Sequence, residues 1–387
     1  MSHEFTLDWP EFLATYWQKR PTVIRQGFRH FVDPLTPEEL AGLAMEETVD
    51  SRLVVKGADH WQVEHGPFED YERYGEANWS LLVQAVDHWY PPVNELMTPF
   101  RGLPNWRIDD LMISFSLPGG GVGPHLDQYD VFIIQGQGRR HWRVGEKVAM
   151  KQFCPHPDLL QVDPFEPIID VELEPGDILY IPPGFPHDGY AIEPSLNYSV
   201  GFRAPNQRDL FSSFADHLLA EELGNRRYSD PQLQRRTHPG AVTTTEVQAL
   251  REMMEQMLQG DAFAPWLASY LSQSRHELDL QPVEPPFAEG EIYDRLQAGE
   301  VLNKLGGLRT LYLETGPEVC FINGERLPIP EGAVALARKL CDGPEISFAE
   351  QDLALQDPVQ LAWLTTLINN GYWYFASDWQ PDEDDAE

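Results

Sequence analysis

Two histidines and one aspartate carry the most specific chemical signal in the sequence. His125 and Asp127 are separated by one residue, and His187 follows an apolar stretch bounded by glycine and proline. Two imidazoles and one carboxylate can hold a divalent iron on one face and leave several coordination positions open for small molecules. These residue types therefore indicate an iron-dependent oxygenase.

The spacing of these residues is suited to a shared metal ion. In an extended strand, side chains two residues apart point the same way, so His125 and Asp127 can reach one ion together. Residues 178–181 form an apolar run between two turn signals, which predicts a buried strand that delivers His187 to the same place. Ordinary structural roles stay open: His125 could cap a turn, Asp127 could bind backbone amides, and His187 could pair with Asp188 at the surface.

Composition and charge restrict the class of partner. The chain has 387 residues with 62 acidic and 28 basic side chains, a formal net charge of -34. Such a chain repels phosphate backbones and attracts basic proteins. From residue 275 onward there are only seven lysines and arginines and no basic cluster, so we expect no direct nucleic-acid binding.

Cysteine usage and hydropathy point to the cytoplasm. Cys154, Cys320 and Cys341 are an odd number with no Cys-x-x-Cys pair, which argues against a disulfide framework or a zinc knuckle. No apolar run is long enough to cross a bilayer, and the N-terminus lacks a basic region followed by an apolar stretch. We therefore expect a cytoplasmic protein without a membrane segment.

The local patterns predict a β-rich middle between helical flanks. The first hundred residues look like a helical lead-in, with a helix at 36–45, and the acidic tail 382–387 is expected to be frayed. Short apolar or alternating runs, separated by glycine and proline, predict a closed or sandwich-like β architecture. These runs are 111–117, 131–135, 140–144, 168–173, 178–181 and 196–202.

The part of the chain after residue 203 returns to a helical period. Leu210, Phe214 and Leu218 share one helical face, and a second helix follows Thr243 and includes Met254. These helices could bury a face against a second subunit. The strongest hairpin signal, at residues 323–324, joins predicted strands at 319–322 and 326–329.

The motifs at 124–127, 138–144 and 175–187 together resemble the Jumonji-C oxygenases of the cupin superfamily, and within them the bacterial ribosomal oxygenases. The resemblance implies an α+β fold: a double-stranded β-helix (jelly-roll) barrel, a helical dimerisation segment and a C-terminal winged-helix-like domain. It divides the chain into a catalytic domain with its lead-in at 1–205, a dimerisation segment at 206–275 and a terminal domain at 276–387. A homodimer is implied.

The resemblance also implies an activity. Such enzymes use iron(II), 2-oxoglutarate and dioxygen, and release succinate and carbon dioxide. By resemblance the substrate would be an arginine side chain of a basic ribosomal protein, the sixteenth of the large subunit. Two alternatives stay open: a related oxygenase acting on another residue, a small molecule or a methylated lysine, and a noncatalytic cupin with an interaction role.

The distal carboxylate of 2-oxoglutarate needs a cation, and three arginines near one strand are candidates. Arg140 shares its strand face with Trp142 and Val144, whereas Arg139 and Arg143 lie on the other face. The apolar face is the inward one, so Arg140 is the predicted carboxylate ligand. The alternative is a surface arginine in a salt bridge.

Two further polar residues are candidates for binding the cosubstrate. By resemblance, Ser114 aligns with a cosubstrate-binding position of the family, and Asn197 lies on the last strand of the barrel. Ser114 precedes the metal loop, and Asn197 lies among apolar residues. Either could instead have an ordinary role, Ser114 as an exposed edge hydroxyl and Asn197 as a strand-end residue. For a substrate guanidinium, Tyr129, Asp130 and Tyr198 are loose candidates.

Overall fold

The computed structural model describes residues 4–58, 60–316, 318–348 and 357–379, so the tail 382–387 lies outside the described residues. In chain order the strands are β1 Glu4–Phe5, β2 Thr22–Ile24, β3 Phe28–Arg29, β4 Ser51–Lys56, β5 Trp61–His65, β6 Trp79–Val83, β7 Ile108–Ser116, β8 His125–Leu126, β9 Asp130–Gln135, β10 Arg140–Gly145, β11 Gln152–His156, β12 Leu159–Val162, β13 Pro167–Leu173, β14 Ile178–Ile181, β15 Pro186–Ala191, β16 Ser195–Phe202, β17 Leu302–Lys304, β18 Thr310–Tyr312, β19 Val319–Ile322, β20 Glu325–Pro328, β21 Glu345–Ile346 and β22 Trp373–Phe375. The helices are α1 Trp9–Thr15, α2 Pro37–Leu43, α3 Val86–Trp89, α4 Pro91–Glu95, α5 Gln207–Ala220, α6 Thr244–Leu258, α7 Phe263–Ser272, α8 Glu289–Gln297, α9 Val334–Asp342 and α10 Pro358–Asn369. None of the described helices has the length and apolar character needed to span a lipid bilayer.

The chain forms two compact units, each assembled from separate parts of the sequence. The first unit contains Met1–Ala204, Ser274–Leu308 and Gly343–Glu387, and the second contains Pro205–Gln273 and Arg309–Asp342. The predicted domains were continuous stretches of sequence, whereas these units are discontinuous. The boundaries at 205 and 275 remain a prediction.

Two antiparallel sheets form the barrel of the first unit. The larger sheet has the strand order β2-β14-β9-β16-β7-β6-β4-β5, and the smaller has the order β13-β10-β15-β8. Every predicted strand of the middle region is present at the expected place, with ends that differ by at most three residues. The strands β11, β12 and β15 were not predicted, because they lack an alternating apolar pattern, and the extended stretch expected at His125 and Asp127 is limited to β8.

Strand alternation separates two apolar cores on the two faces of the larger sheet. Val131 and Ile133 of β9 face the barrel interior and pack with Trp142 and Val144 of the smaller sheet. The alternate side chains belong to a second cluster behind the sheet, together with aromatic residues of the N-terminal elements. That second cluster contains Phe12, Phe28, Phe100, Phe132, Tyr180, Tyr198 and Phe202.

The interpretation of the first hundred residues as a helical lead-in is wrong in part. The helix at Pro37–Leu43 is confirmed, and Thr36 and Glu39 form a capping box at its start. However, β4, β5 and β6 add three strands to the edge of the larger sheet. Their residues pack against both faces of that sheet, and tertiary burial therefore outweighs the local helical signals.

The second unit combines helices with a three-stranded sheet of order β18-β19-β20. Asn323 and Gly324 both have positive φ, 46° and 87°, as a two-residue hairpin turn requires, so the predicted hairpin is confirmed. The helices predicted after residues 206 and 243 are present as α5 and α6. Phe214 of α5 packs on Phe263 and Trp266 of α7, inside this unit.

Candidate metal centre and cosubstrate cavity

The three predicted metal ligands meet at one point of the barrel. His125 lies on β8 and His187 lies directly opposite it on β15. The Nε2 atoms of His125 and His187 are 3.8 Å and 3.6 Å from Oδ2 of Asp127. Donors at these separations leave room for one ion about 2 Å from each of them.

Hydrogen bonds to backbone carbonyls orient both imidazoles for metal binding. Nδ1 of His125 lies 2.9 Å from the carbonyl oxygen of Gly123, and Nδ1 of His187 lies 3.0 Å from that of Phe185. A carbonyl only accepts, so each Nδ1 carries the proton and each Nε2 keeps its lone pair. The donor set therefore fits a divalent metal without rearrangement of the rings.

Burial keeps His187 in the form that a metal needs. The buried environment, reinforced by the neighbouring His125, lowers the pKa of His187 to about 4. The imidazole is thus neutral at pH 7 and can donate its lone pair. Its side chain is only 3% exposed, which contradicts the alternative of a surface pair with Asp188.

Arg140 is buried in the barrel as strand alternation predicted. Its Nη1 donates to Oγ of Ser114 at 3.1 Å, and its Nη2 donates to Oγ of Ser116 at 2.6 Å. Within the described residues no carboxylate pairs with this guanidinium, and its Nε has no hydrogen-bond partner. Burial lowers the pKa of Arg140 to about 9. A buried cation of this kind is ready for an anionic ligand.

Ser114 and Asn197 lie opposite each other on β7 and β16 and line the same cavity. Ser114 is 5% exposed on an inner strand, so it is not an exposed edge hydroxyl. Asn197 donates from Nδ2 to Oε1 of Gln135, whose own amide nitrogen faces four backbone carbonyls. The free atom of Asn197 is therefore its oxygen, which is buried and can only accept a hydrogen bond.

A cavity of about 380 Å³ joins the metal ligands to Arg140. Tyr129, a loose candidate from the sequence, lines it, but Asp130 and Tyr198 do not. The carboxylate of Asp130 instead accepts hydrogen bonds from Tyr180, Gln18 and Arg107. The hydroxyl of Tyr198 donates to Asp33 on the far side of the larger sheet. These two predictions are wrong, because the strand period of two turns both side chains away from the barrel.

Six charged or titratable residues that the sequence interpretation missed also line this cavity, and four of them, besides Arg52 and Asp158, lie close together. Asp109 and Asp110 lie on β7, Arg203 follows β16, and His276 comes from a distant part of the chain. Carboxylate oxygens of the two aspartates and a ring nitrogen of His276 lie within 4.8 Å of one another. The paired acids at 109–110 were a visible signal, but nothing local indicated that they face the barrel interior.

Known proteins of the same architecture decide the family. The JmjC domain family matches residues 95–210, and the ROXA-like winged helix matches residues 252–374. Over 378 residues the chain is 61% identical to the ribosomal protein uL16 3-hydroxylase of Escherichia coli (strain K12), covering 97% of this chain and all of that protein. A probable ribosomal oxygenase of Haemophilus influenzae is 33% identical over 87% of both chains. The chain belongs to the JmjC ribosomal oxygenases.

Solved structures of another ribosomal oxygenase agree with this assignment. The Escherichia coli protein YcfD matches with a TM-score of 0.91 at 59% identity, covering 97% of this chain and all of that one. YcfD in complex with cobalt and 2-oxoglutarate matches with a TM-score of 0.88 at 56% identity and the same coverage. The predicted fold class, a jelly-roll barrel with a winged-helix-like domain, is confirmed for this ribosomal oxygenase.

Proposed function

We propose that this ribosomal oxygenase hydroxylates an arginine side chain of ribosomal protein uL16, with iron(II), 2-oxoglutarate and dioxygen as cofactor and cosubstrates. One observation carries the proposal. The His125, Asp127 and His187 donors and the buried, carboxylate-free guanidinium of Arg140 open into a single cavity. A metal triad and an anion site in one barrel are what a 2-oxo acid needs in order to bind at both of its ends.

Each group of the cavity has a distinct task. His125, Asp127 and His187 hold the iron, which supplies the activation of dioxygen that couples decarboxylation of 2-oxoglutarate to hydroxylation. Arg140 binds the distal carboxylate of 2-oxoglutarate, while Ser114 and Ser116 hold its guanidinium in place. The barrel strands thereby fix the cosubstrate relative to the metal ligands.

The acidic residues of the cavity support an arginine substrate, because they are suited to bind its guanidinium group. Asp109, Asp110 and Tyr129 present two carboxylates and one aromatic ring, which are the groups that bind a planar cation. Burial, together with Asp87 and Asp109 nearby, raises the pKa of Asp110 to about 7. A cation in this cavity would therefore relieve an unfavourable concentration of negative charge.

Mass spectrometry of ribosomal proteins tests the proposed function directly. Cells that contain this chain should carry an arginyl peptide of uL16 that is about 16 Da heavier than in cells that lack it, because hydroxylation inserts one oxygen. The same shift on a different residue type would favour the alternative of a related oxygenase that acts on another residue. No shift on any ribosomal protein would contradict the proposal.

Replacing Asp109 by asparagine should weaken binding of the peptide substrate and leave binding of 2-oxoglutarate unchanged. A charge-assisted hydrogen bond to a guanidinium is lost, so the KM for a uL16 peptide should rise by about tenfold or more. The KM for 2-oxoglutarate should stay unchanged, because Arg140 and its serines are not altered. Steady-state succinate production measures both constants.

Glu172→Gln is a suitable control, since Glu172 pairs with Arg139 outside the barrel. An equal rise of both constants in Asp109→Asn would indicate a damaged barrel and contradict a substrate-binding role.

The charge and the expected location agree with this substrate. A net charge of -34 favours encounter with a basic ribosomal protein. Three cysteines without a Cys-x-x-Cys pair are consistent with the reducing cytoplasm, where ribosomal proteins are made. The absence of nucleic-acid binding stays a prediction.

The homodimer predicted for the helical segment is part of this proposal. Helices α5 and α6 and the chain between them expose large apolar side chains, whereas Phe214 is buried within its own unit. An apolar surface of this extent is typical of a protein interface. The exposed residues are Phe211, Leu219, Leu223, Leu233, Val242, Val247, Leu250 and Met254.

A double variant, Leu219→Asp with Met254→Asp, should convert a dimer into a monomer. Both side chains are strongly exposed, 78% and 67%, so the changes should leave the fold of one chain intact. Burying two carboxylates in an apolar interface is unfavourable by several kcal/mol. Light scattering coupled to size-exclusion chromatography measures the mass. Arg208→Asp, a polar position of α5, is the control, and a monomeric parent protein would contradict the prediction.

A further inference from the structure

Arg203 places a guanidinium of the protein itself at the acidic end of the cavity. Its Nε lies 2.5 Å from Oδ2 of Asp109, whose side chain is 3% exposed. Its Cζ lies 5.1 Å from the centre of the Tyr129 ring. All three residues line the cavity that contains the metal ligands. The carboxylate and the aromatic ring suited to a substrate arginine are therefore in contact with an arginine of this chain.

Two hydrogen bonds hold the backbone of Arg203 in place, whereas its side chain is partly exposed to solvent. The peptide N–H of Arg203 donates to the carbonyl of Arg107 at 2.8 Å, and Nε of Arg107 donates to the carbonyl of Arg203 at 2.6 Å. The side chain itself is 45% exposed and stands at the solvent end of the cavity. Rotation about its side-chain bonds can thus remove the guanidinium from Asp109 without disturbing β16.

We propose that Arg203 is an internal occupant of the substrate's guanidinium position, and that the incoming arginine must displace it from Asp109 and Tyr129. This inference rests on the proposed function, since it assigns Arg203 a role in the binding of the same substrate. In the absence of substrate, Arg203 pairs with the buried carboxylate of Asp109. Binding of substrate exchanges one guanidinium for another.

The exchange makes Arg203 an internal competitor of the substrate. Occupancy by Arg203 weakens the binding of any side chain that uses this position by the same factor, which is set by the fraction of time for which Arg203 occupies it. An incoming arginine restores the contacts that Arg203 gives up, because it brings the same planar, forked donor to Asp109 and Tyr129.

Steady-state kinetics of Arg203→Ala test the proposal. The KM for a uL16 peptide should fall about three- to tenfold, while kcat and the KM for 2-oxoglutarate stay unchanged. An unchanged or increased KM for the arginine peptide would overturn the proposal.

Arg73→Ala is the matched control. Arg73 likewise pairs with a carboxylate, Glu64 at 2.6 Å, and stacks on a tyrosine, Tyr74 at 4.7 Å, but it does not line the cavity. Its loss should leave KM and kcat as in the parent. Arg203→Gln, which keeps most of the side-chain volume, repeats the test if the alanine variant folds poorly.

Binding of methylguanidinium gives a second readout that needs neither iron nor a ribosomal substrate. With Arg203 removed, Asp109 and Tyr129 should bind this small cation at one saturable site, seen by calorimetry and as a rise in Tm. The parent protein and Arg73→Ala should bind it about three- to tenfold more weakly. Absence of the site in Arg203→Ala would overturn the internal-occupant role. If the uL16 peptide proves not to be a substrate while methylguanidinium still binds Arg203→Ala, the proposed function fails and the role of Arg203 stands.

Discussion

Replacement of Asp127 by alanine should remove metal binding and 2-oxoglutarate turnover together. Asp127 supplies the only anionic donor of the triad, and its oxygen lies within 3.8 Å of both imidazole nitrogens. Without it, two neutral imidazoles must hold a divalent cation alone. We expect the affinity for Fe²⁺ or Co²⁺ to fall by at least about 100-fold, since even changes beyond the ligands reach that size. Calorimetry with Co²⁺ and succinate production measure the two losses.

His141 and Asp170 provide a matched control for this experiment. They form a second histidine–aspartate pair, 2.8 Å apart, on the outer faces of β10 and β13. Asp170→Asn should leave metal affinity and turnover as in the parent. If Asp127→Ala kept the metal, the triad would not be the metal site. If it lost the metal without any effect in cells, the noncatalytic cupin would become the better interpretation.

Replacement of Arg140 by methionine should abolish the use of 2-oxoglutarate without destabilising the ligand-free protein. Loss of one partner from a buried, hydrogen-bonded charge pair costs about 2–5 kcal/mol, so the KM for 2-oxoglutarate should rise roughly 30-fold or more. The ligand-free variant should not lose stability, because an unpaired buried guanidinium is itself unfavourable and Met fills a similar space. Ser116 keeps Ser80 as a hydrogen-bond partner at 2.6 Å.

The pH dependence of this stability effect follows from the lowered pKa of Arg140. The folded protein holds its proton with a pKa of about 9, against 12.5 for the ordinary side chain. Between these values the unfolded chain binds more protons, so the contribution of Arg140 to stability rises with pH through that window. Below pH 9 its unfavourable effect is complete and constant. At pH 7 the Arg140→Met variant should therefore be at least as stable as the parent.

Thermal unfolding with and without 2-oxoglutarate separates the two effects. The parent should gain in Tm when 2-oxoglutarate is added together with the metal, and Arg140→Met should gain much less. Arg139→Met is the control, because Arg139 directly precedes Arg140 but pairs with Glu172 and Glu193 outside the barrel. A variant that is strongly destabilised yet binds 2-oxoglutarate normally would show that Arg140 has a purely structural role.

Strand alternation explains why the inward position of Arg140 in the barrel could be predicted from the sequence. The face shared by Arg140, Trp142 and Val144 is apolar apart from the arginine, and all three residues are buried in the structure. The period of two is local, so a few residues suffice to identify the inward face. The same rule, applied to β9 and β16, would have turned Asp130 and Tyr198 outward, since their neighbours at two-residue steps pack behind the larger sheet. Those two predictions failed because alternation was not applied to them.

The proposed metal ligands, and the arginine proposed to bind 2-oxoglutarate, could thus be predicted from the sequence itself, through two-residue spacing, strand alternation and the turns that flank residues 178–181. The arrangement of the acidic residues proposed to bind the substrate depends on the tertiary structure alone. Asp110 and His276 come together at 3.7 Å although they lie far apart in the chain, and Arg203 reaches Asp109 across two paired strands. Such contacts depend on which strands pair and on where a distant segment returns. Burial, which raises the pKa of Asp110 and prepares Arg140 for an anion, is likewise a property of the whole fold and of no local pattern.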